Sequence, residues 1–156
     1  MAQPQHRNTG YSGKTNDSRS ESTSGGKPFS DILKKISLEN IEPDLFDSVA
    51  KETAETIAET KKELNKPTQL RKFYDEIVMW DSKTTLHPQK FGEYLPFIKM
   101  LNAKIAYAQG RKLVDSNFVD LISHCLSKVN NEKTLHTFKL FMEAFMGFYK
   151  QVREKD

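Results

Sequence analysis

Apolar residues recur at intervals of three and four along most of the chain, and no stretch alternates with period two over a useful length. That periodicity predicts helices and no sheet. A short helical turn over residues 30–36 precedes five main helices. The first, residues 43–64, has Pro43 at its first position and acids in its opening turn, as the helix dipole prefers. Its stripe of Leu45, Val49, Ala54 and Ile57 is narrow, which predicts peripheral packing. The second enters through Lys66, Pro67 and Thr68 and carries Leu70, Phe73, Tyr74, Ile77 and Trp80, until a loop over 81–89 that contains Pro88 ends it. The third begins between Phe91 and Pro96, runs through Phe97, Ile98, Leu101, Ile105 and Ala108, and closes at Gly110 as a left-handed terminal residue. The fourth starts from a cap at Asp115 or Ser116 and presents Phe118, Leu121, Ile122, Cys125, Leu126 and Val129 on one face. The fifth starts at an Asn131 cap and reaches about Val152. Its apolar set covers more than one face, which places it either at the centre of the bundle or against another molecule. The expected fold is all-α, a helical bundle of about five helices.

Polar residues are segregated rather than spread. Residues 1–28 contain only Met1, Ala2 and Tyr11 as apolar side chains, with four glycines and five serines. Such a segment cannot offset its own ordering entropy, so a disordered, basic leader is expected ahead of a domain over 29–156. No apolar run approaches the roughly 20 residues that span a bilayer, and the N-terminus has no apolar core of a secretory signal. One cysteine among 156 residues excludes an intrachain disulfide and points to the cytoplasm.

The net charge of +3 hides an asymmetry. Residues 42–64 hold seven acids against three lysines, whereas residues 65–112 hold nine basic residues against four acids. The basic block is the part suited to a polyanion. Enzyme signatures are absent. The GYSGKT stretch at 10–15 ends like a phosphate loop but lacks its spacing, strand and helix. The histidines His6, His87, His124 and His136 form no i,i+4 ligand pair, and no structural metal site or cofactor is expected. Cys125 reads as a packed thiol in an apolar stripe.

The positive signal lies in residues 94–114, which contain Lys99, Lys104, Arg111 and Lys112 and no Asp or Glu. Lys104 and Arg111 are seven residues apart, about 20° around a helix axis and roughly 10 Å along it. Tyr107 lies between them on a neighbouring line. Two cations on one face beside an aromatic ring suit phosphates and a stacked sugar or base; Tyr107 reads equally well as a core aromatic with its hydroxyl at the rim. Arg71 and Lys72 open the second helix, where free N–H groups favour an anion. They are equally placed to pair with Asp75 and Glu76. No helix–turn–helix pair presents base-reading side chains.

Three stretches resemble blocks of a known family. QLRKFYDEI at 69–77 and LPFIKMLNAKIAYAQGR at 95–111 resemble the first two blocks of the small helical subunit of type III-A CRISPR effector (Csm) complexes. The second carries the K-x-x-Y-x-x-x-R spacing at Lys104, Tyr107 and Arg111. FKLFMEAFMGFYK at 138–150 resembles the closing aromatic block, and together the blocks span about 67–152. The resemblance implies a noncatalytic RNA-binding subunit that stacks in several copies and contacts the target strand of the crRNA–target duplex. Its implied partners are other copies of itself, the large polymerase-like subunit and the backbone subunits. Lys104, Arg111, Arg71, Lys72, Lys112, Tyr107 and Lys99 are the expected RNA contacts. The competing expectation is a helical protein–protein scaffold whose basic patch binds an acidic protein.

Overall fold

The structure, a computed structural model, describes residues 28–153, so the expected disordered leader lies outside the described residues apart from Pro28. The described helices are α1 (Phe29–Leu33), α2 (Ala50–Ala58), α3 (Pro67–Leu86), α4 (Phe91–Lys99), α5 (Leu101–Gly110), α6 (Ser116–Lys128) and α7 (Glu132–Arg153). A π-helical turn, Leu45–Val49, leads into α2, and a 3₁₀ turn, Pro88–Lys90, leads into α4. No strand occurs among the described residues. The fold is all-α, and its five expected main helices are present, the third divided at Met100.

The last helix, α7, is the centre of the bundle. It packs on α2 and α3 and buries Leu135, Phe138, Phe141, Met142, Phe145 and Tyr149. Phe145 stacks with Phe118 of α6 at 6.4 Å and with Tyr149 at 5.4 Å. None of the exposed large apolar side chains among the described residues lies on α7. Most of its wide apolar surface is therefore covered within the chain, with Leu140, Met146 and Phe148 partly buried. Its start is as the sequence predicts, with Asn131 Oδ1 accepting the Thr134 N–H at 2.9 Å. Asp115 Oδ1 does the same for the Phe118 N–H at the start of α6, at 3.0 Å.

Four expectations are corrected by packing. The narrow stripe of the first helix is central rather than peripheral: Ala50, Thr53, Ala54 and Ile57 are fully buried. Small side chains there let α2 approach α7 closely, and the helix spans Ala50–Ala58 instead of 43–64. The second helix does not stop at 81 but continues to Leu86. Asp81 is buried inside it, its carboxylate 3.1 Å from His136 Nδ1 of α7, while Thr84 and Thr85 hydroxyls donate back to the Asp81 carbonyl. In α4, Pro96 sits within the helix rather than in its first turn. It has no N–H for the Gly92 carbonyl, and at Met100 the N–H meets the Pro96 and Phe97 carbonyls, both at 3.2 Å.

The fourth correction concerns the end of α5. Gly110 is helical, and the left-handed residue is Lys112, with φ 59°. The Leu113 N–H bonds the Ala108 carbonyl at 3.0 Å and the Lys112 N–H bonds the Gln109 carbonyl at 2.9 Å, the two bonds of a Schellman turn. A Cβ at Gly110 would meet nothing within 4 Å. Lys112→Gly is accordingly expected to raise stability by about 0.5–1 kcal/mol, because a β-carbon is unfavourable in that conformation. Gly110→Ala is expected to raise it by about 0.5 kcal/mol. A thermal melt in which either variant falls below the parent chain would contradict this helix end.

A buried node ties the long loop after α2 to the rest. Asn65 is fully buried with φ 52°. Its N–H donates to the Leu113 carbonyl at 3.0 Å. Its side-chain oxygen accepts the Asp115 N–H at 2.9 Å, and its amide donates to the Ile57 carbonyl at 3.4 Å. The Tyr149 hydroxyl of α7 donates to its carbonyl. Beside it, the Arg153 guanidinium donates to the carbonyls of Leu64 at 2.9 Å and Lys62 at 3.2 Å. Cys125 is buried in α6, and desolvation pushes its thiol far above the ordinary range, as a packed rather than reactive cysteine requires.

Candidate nucleic-acid interface

Helix α5 turns Ile105 and Ala108 inward, which leaves Lys104, Tyr107 and Arg111 on its outer side. Tyr107 is 68% exposed, so of its two readings the core one is excluded. The Arg111 guanidinium carbon lies 5.8 Å from the Tyr107 ring centroid, a cation–π contact that fixes both groups at the helix end.

Lys104 is not the isolated cation its sequence surroundings imply. It forms an ion pair with Glu76 of α3, whose side chain is only 19% exposed. Glu76 is therefore taken by Lys104 rather than by Lys72 one turn earlier, while Arg71 does pair with Asp75 at 3.2 Å. Trp80 of α3 stacks on Phe97 of α4. With Glu76 opposite Lys104 and Trp80 opposite Phe97, α3 runs antiparallel to α4 and α5. Lys72 thus falls toward the Tyr107–Arg111 end.

The other three expected residues lie apart. Arg71 borders a hollow between α3 and α7 with Pro67, Thr68, Met146, Gly147 and Lys150. Lys112 borders another with Lys61, Glu63, Leu64, Gln109 and Val114. Lys99 points to the C-terminal end of α6, where its ammonium donates to the Leu126 carbonyl. Burial pulls its pKa down from the usual lysine value, and the carbonyl end of the helix offsets part of that cost. The structure thus gathers Lys104, Tyr107 and Arg111 on one side and ties Lys99 to the end of α6.

Two residues that sequence reasoning assigned to the core or passed over also belong to this side. Phe97 is 55% exposed and Met100 is 50% exposed, although Ile98 and Leu101 next to them are fully buried. The signal was present as a second three-four spacing, offset by one residue from the buried one. Among the described residues, no group of three His, Cys, Asp or Glu side chains is placed to hold a metal ion, and no helix is long and apolar enough to cross a membrane.

The sequence model of the family Csm2 Type III-A matches residues 41–155. That span takes in α2 as well as the three blocks read from the sequence. No curated protein and no solved structure matches the chain.

Proposed function

From the premise that the chain belongs to the Csm2 Type III-A family, and so is a small subunit of the type III-A Csm complex, we propose that it is a noncatalytic RNA-binding subunit. Several copies stack along the complex and hold the target strand of the crRNA–target duplex in the cytoplasm. The observation that carries this reading is the outer side of α5: Lys104 and Arg111 flank an exposed Tyr107, and residues 94–114 contain no acid. Base pairing supplies sequence identity, so the subunit need only grip the backbone through charge and shape. Copy-to-copy stacking draws support from charge rather than from α7, most of whose apolar surface is already covered. The acid-rich segment 42–64 complements the basic segment 65–112 of a neighbour.

The competing scaffold reading places an acidic protein on the same patch. A salt titration with single-stranded RNA, duplex RNA and duplex DNA separates the two. RNA binding is expected, with log K falling linearly against log salt as counterions are released. Negligible affinity for all three would leave the scaffold.

A further inference from the structure

The outer side of α4 and α5 carries Phe97, Met100, Lys104, Tyr107 and Arg111, all exposed and spaced three, four, three and four. Phe97 lies on α4; at about 100° per residue the other four, from Met100 to Arg111, fall within roughly 60° around the α5 axis. A stripe of this spacing ordinarily faces a core. Here the core-facing positions are Ile98, Leu101, Ile105 and Ala108, all buried, so the second stripe faces outward.

Its rings are held in place. Phe97 lies on Trp80 with centroids 6.2 Å apart and planes 17° from parallel. Trp80 is flanked by Tyr94 at 5.6 Å, and Lys83 Nζ sits 5.0 Å from its ring. At the other end Arg111 steadies Tyr107. The order along the stripe is ring, thioether, cation, ring, cation; Lys104 is paired with Glu76 of α3, whereas no ion pair to Arg111 occurs among the described residues, and the sequence has no acid from 94 to 114. The charge calls for an anionic partner, and the rings call for one with flat apolar faces. A duplex offers its backbone but keeps its bases stacked inside, whereas an unpaired strand offers both.

We propose that this stripe binds unpaired RNA nucleotides, one base stacking on Tyr107 and another on Phe97, with the intervening phosphates at Lys104 and Arg111. The proposal rests on the RNA-binding reading above and extends it from backbone contact to base stacking.

The test uses the full chain at low salt, titrated with a short uridine-rich RNA that carries adjacent 2-aminopurines, alone and annealed to its complement. The parent chain is expected to quench the single-stranded probe and to bind it more tightly than the duplex. Phe97→Leu with Tyr107→Leu changes only exposed rings, so helical circular dichroism should be retained. The double variant should lose the quenching and weaken single-strand binding roughly five- to hundred-fold, with the salt slope unchanged. Parental quenching and affinity in this variant would overturn the proposal. So would an equal loss on single strand and duplex, or tighter duplex binding by the parent. If the ring variant is silent and Lys104→Ala with Arg111→Ala weakens binding, stacking falls while backbone binding stands. If both pairs are silent, the RNA-binding reading itself falls.

Discussion

Asn65→Ala is expected to destabilise the domain by about 3 kcal/mol and to lower its melting midpoint by roughly 10 °C. The substitution strands the Asp115 N–H and the Ile57 carbonyl, which the Asn65 amide satisfies in a fully buried site. A buried polar group without a partner costs about 1–3 kcal/mol. Alanine also tolerates the left-handed backbone at φ 52° less well than asparagine. The consequences are not confined to the loop, because Asp115 caps α6 and Tyr149 reaches the Asn65 carbonyl from α7. Asn65→Gly, which keeps the backbone geometry and loses only the amide, should recover about 1 kcal/mol of the loss. Chemical denaturation of the three chains measures both steps. A midpoint for the alanine variant within a degree or two of the parent would mean that the node is not what joins these helices.

The largest expected effect on function comes from replacing Lys104 and Arg111 together with alanine. If each gives a charge-assisted hydrogen bond to phosphate as proposed, target-RNA affinity in the assembled complex should fall roughly ten- to hundred-fold for all sequences alike. Loss of the Arg111 contact should also take about 0.7–0.9 from the slope of log K against log salt. Stability should not be wholly spared, since Lys104→Ala leaves the partly shielded Glu76 without its ion pair. That pair is half exposed on the lysine side, which limits its worth to about 0.5–1 kcal/mol. Arg71→Ala should act weakly, given its Asp75 partner and its place beside α7. Lys61→Ala, in the acid-rich segment, is the control and should leave binding unchanged. Parental affinity and slope in the double variant would show that the patch meets only solvent.

The helical class, the caps at Asp115 and Asn131 and the inward faces of α6 and α7 were legible because each rests on local chemistry. Periodicity and a capping side chain act within one turn. The misread boundaries share a different cause. Asp81, Ser82, Thr84 and Thr85 look like loop formers, yet the threonine hydroxyls bond the backbone within the helix and His136 meets Asp81 from another element. The helix ends at Gly110 as propensity suggests, but the left-handed residue is Lys112, two residues later, where Leu113 must reach both Ala108 and Asn65. In the candidate site, the Tyr107–Arg111 contact is one helical turn and was readable. The Lys104–Glu76 pair spans 28 residues and depends on how α3 lies against α5. Phe97 was credited to the core because two interleaved three-four stripes cannot be told apart until packing selects one.

The pairing of Lys104 with Glu76 gives the proposed RNA face an uncommon kind of electrolyte. An ordinary surface lysine is neutralised by mobile anions, and their escape into solution on binding is what makes nucleic-acid affinity steeply salt-dependent. The anion beside Lys104 is covalently tethered. A phosphate that arrives there exchanges places with a carboxylate that cannot diffuse away, so that contact yields no entropy of dilution and none is lost when salt is added. The grip of this subunit should therefore be weaker in dilute buffer than its count of cations implies, and more nearly constant across the ionic strengths a cell experiences.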